Sequence, residues 1–190
     1  MLAIETVAVL GATETGTTCA VLAALGGCAV RVHVDDDGAV GPALDAVRHK
    51  VEVGIAAGAL TRTERQRILD GVLFTADLDE AVTGADLVVD AGPGRAVEQA
   101  ARLSGLLGLT RASTPLAAAG AEAPVEGAAP LVHPRALGLE LCDVHGVVPR
   151  LQVLAGPATV LHALARAEAF ALRVNRAART VVGPAYAAAG

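Results

Sequence analysis

Aromatic side chains are scarce in this chain: 2% of 190 residues, with no tryptophan, one tyrosine and two phenylalanines. With hydrophobic residues at 53%, the core has to be built from Ala, Val and Leu, which suits close helix–sheet contact. Lys50 is the only lysine and the formal net charge is −5. Together with a pI near 5.5, this excludes the basic face that a nucleic-acid partner requires. No apolar run approaches the roughly 20 residues that span a bilayer. The best candidate, CAVLAALGGCAV (19–30), is interrupted by Gly26 and Gly27, so no membrane association is expected. Cys19, Cys28 and Cys142 have neither C-x-x-C nor metal-ligand spacing. They read as reduced thiols in a cytoplasmic protein without a metal, and the opening MLAIETV lacks the basic stretch of an export signal. G-x-S-x-G, H-E-x-x-H and P-loop motifs are also missing, which removes the corresponding hydrolytic and nucleotide-cleaving chemistries.

What is present is an alternation of strand and helix patterns. TVAVL (6–10), AVRVHV (29–34), VLFT (72–75) and DLVVDA (86–91) are short, apolar and rich in β-branched residues, as buried parallel strands are. Helices are expected at 16–25, from about Pro42, from Thr61 to Gly71, from Asp77 to Gly84, at 95–107 and at 158–175. Thr61 with Glu64 and Asp77 with Glu80 have capping-box spacing. Residues 114–119, 136–141, 150–155 and 178–184 complete the strand set, and the Ala/Gly/Pro/Glu-rich stretch 119–130 reads as a surface loop or a poorly ordered segment. There is no internal repeat and no domain boundary. This order predicts an α/β fold, a mostly parallel sheet covered by helices on both faces.

The stretch VAVLGATETGTT (7–18) sets a strand end against the start of a helix. Gly11 and Gly16 fill the first and third positions of G-x-G-x-x-G, the turn in which glycines allow a dinucleotide diphosphate to approach the backbone. Thr13 occupies the second position and brings a Cβ into the cradle, while Glu14 places a carboxylate on the helix N-terminus where a phosphate would bind. Two readings stay open: an altered dinucleotide loop, or a strand–helix turn with no ligand.

Three stretches resemble the N-terminal domain of the 3-hydroxyacyl-CoA dehydrogenases: VAVLGATETG, the long segment GALTRTERQRILDGVLFTADLDEAVTGADLVVDAGP (58–93), and PRALGLELCDVHGVVPRLQVLAGPAT (134–159). The resemblance covers nearly the whole chain and implies a Rossmann-like, doubly wound sheet with a helical-hairpin crossover after the second strand. It implies a single domain over 1–184 with a short tail, without the family's helical, dimer-forming domain. A homodimer through helix 158–175, or a separate helical subunit, is the corresponding partner expectation. The implied cofactor is NAD. Its implied contacts are Gly11, Ala12, Thr13, Glu14, Thr15 and Gly16, with Asp35 for the ribose and Ala91, Gly92 and Pro93 at the end of strand 86–91. Counted from Gly11, the ribose acid falls on Val34, and a one-residue slip reaches Asp35. Asp35 with Asp36 and Asp37 reads equally as a solvated acidic turn.

The resemblance also assigns catalytic positions. The family uses a His as general base and a Glu about twelve residues later to orient it. Anchored on GPAT (156–159), these positions hold Glu140 and Gln152, and the Asn after the His becomes Asp143. A second register places Pro130 at the His position and leaves His133 or His145 as a displaced base. The family's polar "NTSS" falls on AGAE (119–122), and its acidic residue in the loop after the ADLV strand falls on Gly94. Asp90, at the carboxyl end of its strand, reads as an ordinary strand-end acid. The expectation is a 3-hydroxyacyl-CoA dehydrogenase-type domain without dehydrogenase activity, serving ligand sensing or partner binding. The alternative is an active or split NAD-dependent oxidoreductase, with Glu140 or His133 as base.

Overall fold

A computed structural model describes residues 3–120, 133–142 and 149–181. Strand β1 (Thr6–Leu10) leads into helix α1 (Glu14–Leu25), and β2 (Ala29–His33) follows. A short 3-10 turn (Asp37–Ala39) opens the helical hairpin of α2 (Val40–Ala56) and α3 (Arg62–Gly71). Then come β3 (Val72–Thr75), α4 (Leu78–Val82), β4 (Leu87–Asp90), α5 (Ala96–Gly105), β5 (Leu116–Ala119), β6 (Ala136–Cys142), β7 (Arg150–Ala155) and α6 (Leu161–Val181). The strands form one sheet in the order β3-β2-β1-β4-β5-β6-β7. All neighbours are parallel except β6 and β7, which are antiparallel. The doubly wound α/β sheet and its helical-hairpin crossover are as the sequence implies. The order reverses between β1 and β4, the switch point at which such sheets form their ligand crevice.

The two faces of the sheet divide the core. Val7, Val9, Val30, Val32, Leu137 and Leu139 face a large cluster with α1, α2, α3 and α6. Ala8, Leu10, Val88, Leu116 and Ala118 face a smaller one with α4 and α5. Helix α1 is buried along most of its length, including Cys19, Ala20, Leu22, Ala23, Ala24 and Leu25. Its small side chains let the sheet, α2, α3 and α6 close around it, which is why a core with almost no aromatics still packs.

Thr61 and Glu64 form the complete capping box at the start of α3. At α4 only half of the expected box forms. The Asp77 carboxylate accepts the Glu80 amide, but the Glu80 carboxylate is engaged by the Thr75 hydroxyl instead of turning back to its own helix. The strand expected at 178–184 is a correction: α6 runs through Val181, and 182–184 lie outside the described residues. The stretch RAAR (176–179) favours helix by propensity, and no breaker occurs before Gly183 and Pro184. The outer edge of β7 is blunted by α6, because Asn175 Oδ1 accepts the Leu151 amide at 2.9 Å and its Nδ2 donates to the Leu151 carbonyl at 2.9 Å. Among the described residues no helix is long and apolar enough to cross a membrane.

At the amino end of the sheet Asp86 accepts the amides of Glu5 (3.1 Å) and Thr6 (3.0 Å) and a hydrogen bond from Arg111 (2.7 Å). Burial opposes its charge, but the two amides and the guanidinium outweigh burial and hold the carboxyl below its ordinary value. A depressed folded-state pKa contributes stability above the unfolded value near 3.9 and loses it as pH falls through the folded value. Asp86→Asn should therefore cost roughly 1–3 kcal/mol at pH 7. The gap to wild type should narrow below about pH 4, as read by urea unfolding at both pH values.

Candidate functional site

A cleft of about 570 Å³ opens at the switch point, lined by Leu10, Gly11, Ala12 and Thr13, by His33, Val34 and Asp35 at the end of β2, and by Asp90, Gly92 and Pro93 after β4. Its far wall is apolar, from Leu78, Leu106 and Leu109. Gly11 has φ +90°, and a Cβ there would lie 2.7 Å from the Gly92 Cα. A Cβ at Gly16 would collide with the Gly11 carbonyl. Both glycines are thus demanded by the turn and by the approach of α1 to β1.

Thr13 is the N-cap of α1. Its Oγ1 accepts the Gly16 amide at 3.1 Å and donates to the Ala91 carbonyl at 2.7 Å. The hydroxyl therefore ties the loop to the end of β4 and takes one helix N-terminal amide for itself. The sequence reading has Thr13 and Glu14 filling the cradle, yet the cleft beside residues 10–13 is open. Glu14 is not among its lining residues, because its carboxylate pairs with Lys50 on α2. Among the described residues no protein acceptor engages the amides of Glu14 and Thr15. Ala91 is buried and donates its amide to the Leu10 carbonyl at 2.9 Å, which fixes the height of the Gly92–Pro93 wall.

Val34 and Asp35 both line the cleft, but Val34 is 2% exposed whereas Asp35 is exposed. The acid nearest the position counted from Gly11 is thus Asp35, one residue later. The neighbouring acids have other places: Asp36 Oδ1 caps the 3-10 turn by accepting the Ala39 amide at 3.0 Å, and Asp37 is exposed.

Asp90 is more than a strand-end acid. It is 0% exposed, accepts the Gly92 amide at 2.9 Å, and binds the Arg102 Nε through both oxygens at 2.9 and 3.2 Å. Burial pushes its carboxyl up, although Arg102 and the Gly92 amide pull the other way. Arg102, from α5, also lines the cleft. The sequence reading missed it. A helix arginine twelve residues after a strand-end acid carries no local signal, and only the three-dimensional register of α5 on β4 joins the two. At Gly94, where the resemblance places an acidic side chain, the carboxylate of Glu98 covers the spot a Cβ would take.

Glu140 and Gln152 are directly opposite on the β6–β7 ladder, and both are exposed. The structure thus brings together the two positions the resemblance assigns to the proton-transfer pair. They lie apart from the cleft lining, with β5 between β4 and β6. Cys142 is on the same side of the hairpin, and its thiol donates to Gln152 Oε1 at 3.4 Å. His133, the other base candidate, is not brought to the cleft. It precedes the amino end of β6, and since β6 runs parallel to its neighbour β5, that is the edge of the sheet opposite the cleft. Its Nδ1 accepts the Arg135 amide at 3.2 Å in a local turn. Asp143, His145, Glu122 and Pro130 lie outside the described residues. Among the described residues no group of three or more His, Cys, Asp or Glu side chains comes together to hold a metal.

Because the Thr13 hydroxyl makes two bonds, Thr13→Ala should destabilise the fold by about 1–2 kcal/mol, and Thr13→Ser should restore most of that loss in urea unfolding.

The model of the 3-hydroxyacyl-CoA dehydrogenase NAD binding domain matches residues 6–125. Among solved structures, 3-hydroxybutyryl-CoA dehydrogenase from Escherichia coli K12 superposes with a TM-score of 0.78 at 23% identity, covering 92% of this chain and 37% of that one. FadB2 from M. tuberculosis gives 0.79 at 24% identity, covering 91% and 61%. PaaH1, an (S)-3-hydroxybutyryl-CoA dehydrogenase from Ralstonia eutropha, gives 0.77 at 19% identity, covering 90% and 61%. The chain therefore spans less than two thirds of the length of each of these proteins. No curated protein sequence matches it.

Proposed function

The chain belongs to the 3-hydroxyacyl-CoA dehydrogenase NAD-binding-domain family, and from that premise we propose that it holds NAD in the switch-point cleft without oxidising a 3-hydroxyacyl thioester. Its role on this reading is that of a nucleotide-responsive sensing or partner-binding module. The observation that carries the second half is the pair Glu140 and Gln152, opposite each other across β6 and β7. A general base for a hydroxyl works best with a pKa near the working pH, which imidazole provides and a partner carboxylate reinforces. Here the first position has no imidazole and the second has no charge.

The residues around the cleft suit the cofactor. Gly11 and Gly92 present bare backbone, Asp35 stands at the rim, and the amides of Glu14 and Thr15 are unengaged among the described residues. Asp35 would accept from the adenine ribose, the turn from Gly11 to Gly16 would cradle the diphosphate, and Pro93 would flank the path toward the nicotinamide. Bound NAD supplies a hydride acceptor. On this reading the chain's own side chains orient it, and the described pair Glu140 and Gln152 does not supply the imidazole–carboxylate couple that would take the hydroxyl proton. The acidic run from Asp35 to Asp37 disfavours the extra phosphate of NADP.

Calorimetric titration with NAD, paired with a coupled assay, tests this. Saturable NAD binding is expected, with no NADH formed from 3-hydroxybutyryl-CoA at high protein concentration. Steady NADH production would establish the active or split-oxidoreductase alternative. A flat titration at millimolar NAD would remove the cofactor reading.

A further inference from the structure

Resting on the reading of the cleft as a dinucleotide site, we infer that Arg102 is the diphosphate-contacting residue of this chain, taking over work that the glycine turn has given up. Thr13 uses the Gly16 amide as its own capping partner, so one of the donors a helix N-terminus offers an anion is consumed. Glu14 adds negative charge at the same helix start and is only partly answered by Lys50, since its side chain stays 88% exposed. A diphosphate entering here needs a cation from elsewhere. Among the described residues lining the cleft, Arg102 is the only arginine or lysine.

Its placement is built. Nε is held on the fully buried Asp90, and Nη1 donates to the Pro93 carbonyl at 3.1 Å. Nη2 is buried without a partner among the described residues, a costly state for a donor. That atom lies 3.2 Å from where a Gly92 Cβ would stand, and the Gly92 Cα lies 2.7 Å from where a Gly11 Cβ would stand. The guanidinium is thus separated from the glycine turn by one residue that has no side chain. A planar fork anchored on one edge and short of an acceptor on the other matches a phosphate oxygen better than a flexible ammonium does. The side chain remains about one third exposed on the cleft that it lines.

The test compares ADP-ribose, which carries the diphosphate, with adenosine, which does not. Arg102→Met is the direct variant. The double variant Asp90→Asn, Arg102→Gln keeps a neutral hydrogen bond and avoids stranding a buried carboxylate, which would destabilise the fold. Both are titrated calorimetrically at low and high salt. The inference expects about tenfold or greater loss of ADP-ribose affinity in both variants. Adenosine affinity should change less than about twofold, and the salt dependence seen with wild type should flatten. Unchanged ADP-ribose affinity in the double variant would overturn the role of Arg102 while leaving the cofactor reading intact. Equal losses for both ligands would assign Arg102 to packing and also overturn it. Wild-type protein that binds neither ligand would bring down the cofactor reading, and this inference with it.

Discussion

Two backbones meet without side chains at the carboxyl ends of β1 and β4, and the rest of the site follows from that approach. Gly11, in the left-handed region, faces Gly92 so closely that a Cβ on Gly11 would come within 2.7 Å of the Gly92 Cα. This contact sets how near α1 begins to the sheet, and Thr13 fastens it by bonding the Ala91 carbonyl. It also leaves a gap at the switch point, because neither strand end projects a side chain across it. The cleft is what remains when a parallel sheet reverses its winding and both turns are stripped to backbone.

The threonine in the turn changes the balance of that cleft without closing it. Its hydroxyl gives α1 a cap and couples the loop to β4, a structural gain, and in exchange it removes the Gly16 amide from the ligand's side. Glu14 is diverted to Lys50, and the cationic character of the crevice passes to Arg102, held in place by a carboxylate at the floor. The β6–β7 hairpin is a separate matter. Its register places Glu140 directly against Gln152, the two positions to which the resemblance assigns the family's proton-transfer pair.

How much of this could be read beforehand depends on where each signal is stored. Strands such as TVAVL and LVVD announce themselves because both faces are buried and the apolar run is continuous. The α3 start is legible because Thr61 and Glu64 are three residues apart. Gly11 and Gly16 are legible because only glycine satisfies those positions. By contrast, Asp90 with Arg102, and the turning of Glu14 toward Lys50, depend on which helix face meets which strand, and no local pattern encodes that. The continuation of α6 past residue 178 is hidden in the sequence because β-branched Thr180 and Val181 resemble a strand start, whereas the Ala- and Arg-rich residues before them sustain the helix. Asp35 could be named but not decided upon, since a solvated acidic turn and a ribose ligand share the same letters.

The most direct check is a crystal structure of the chain grown with saturating NAD. The account predicts the dinucleotide lying across residues 11–16, with its adenine ribose on Asp35 and its diphosphate within hydrogen-bonding distance of the Arg102 guanidinium. A structure at saturating NAD with the cofactor elsewhere, or with the cleft between Gly11 and Gly92 empty of it, would contradict the account.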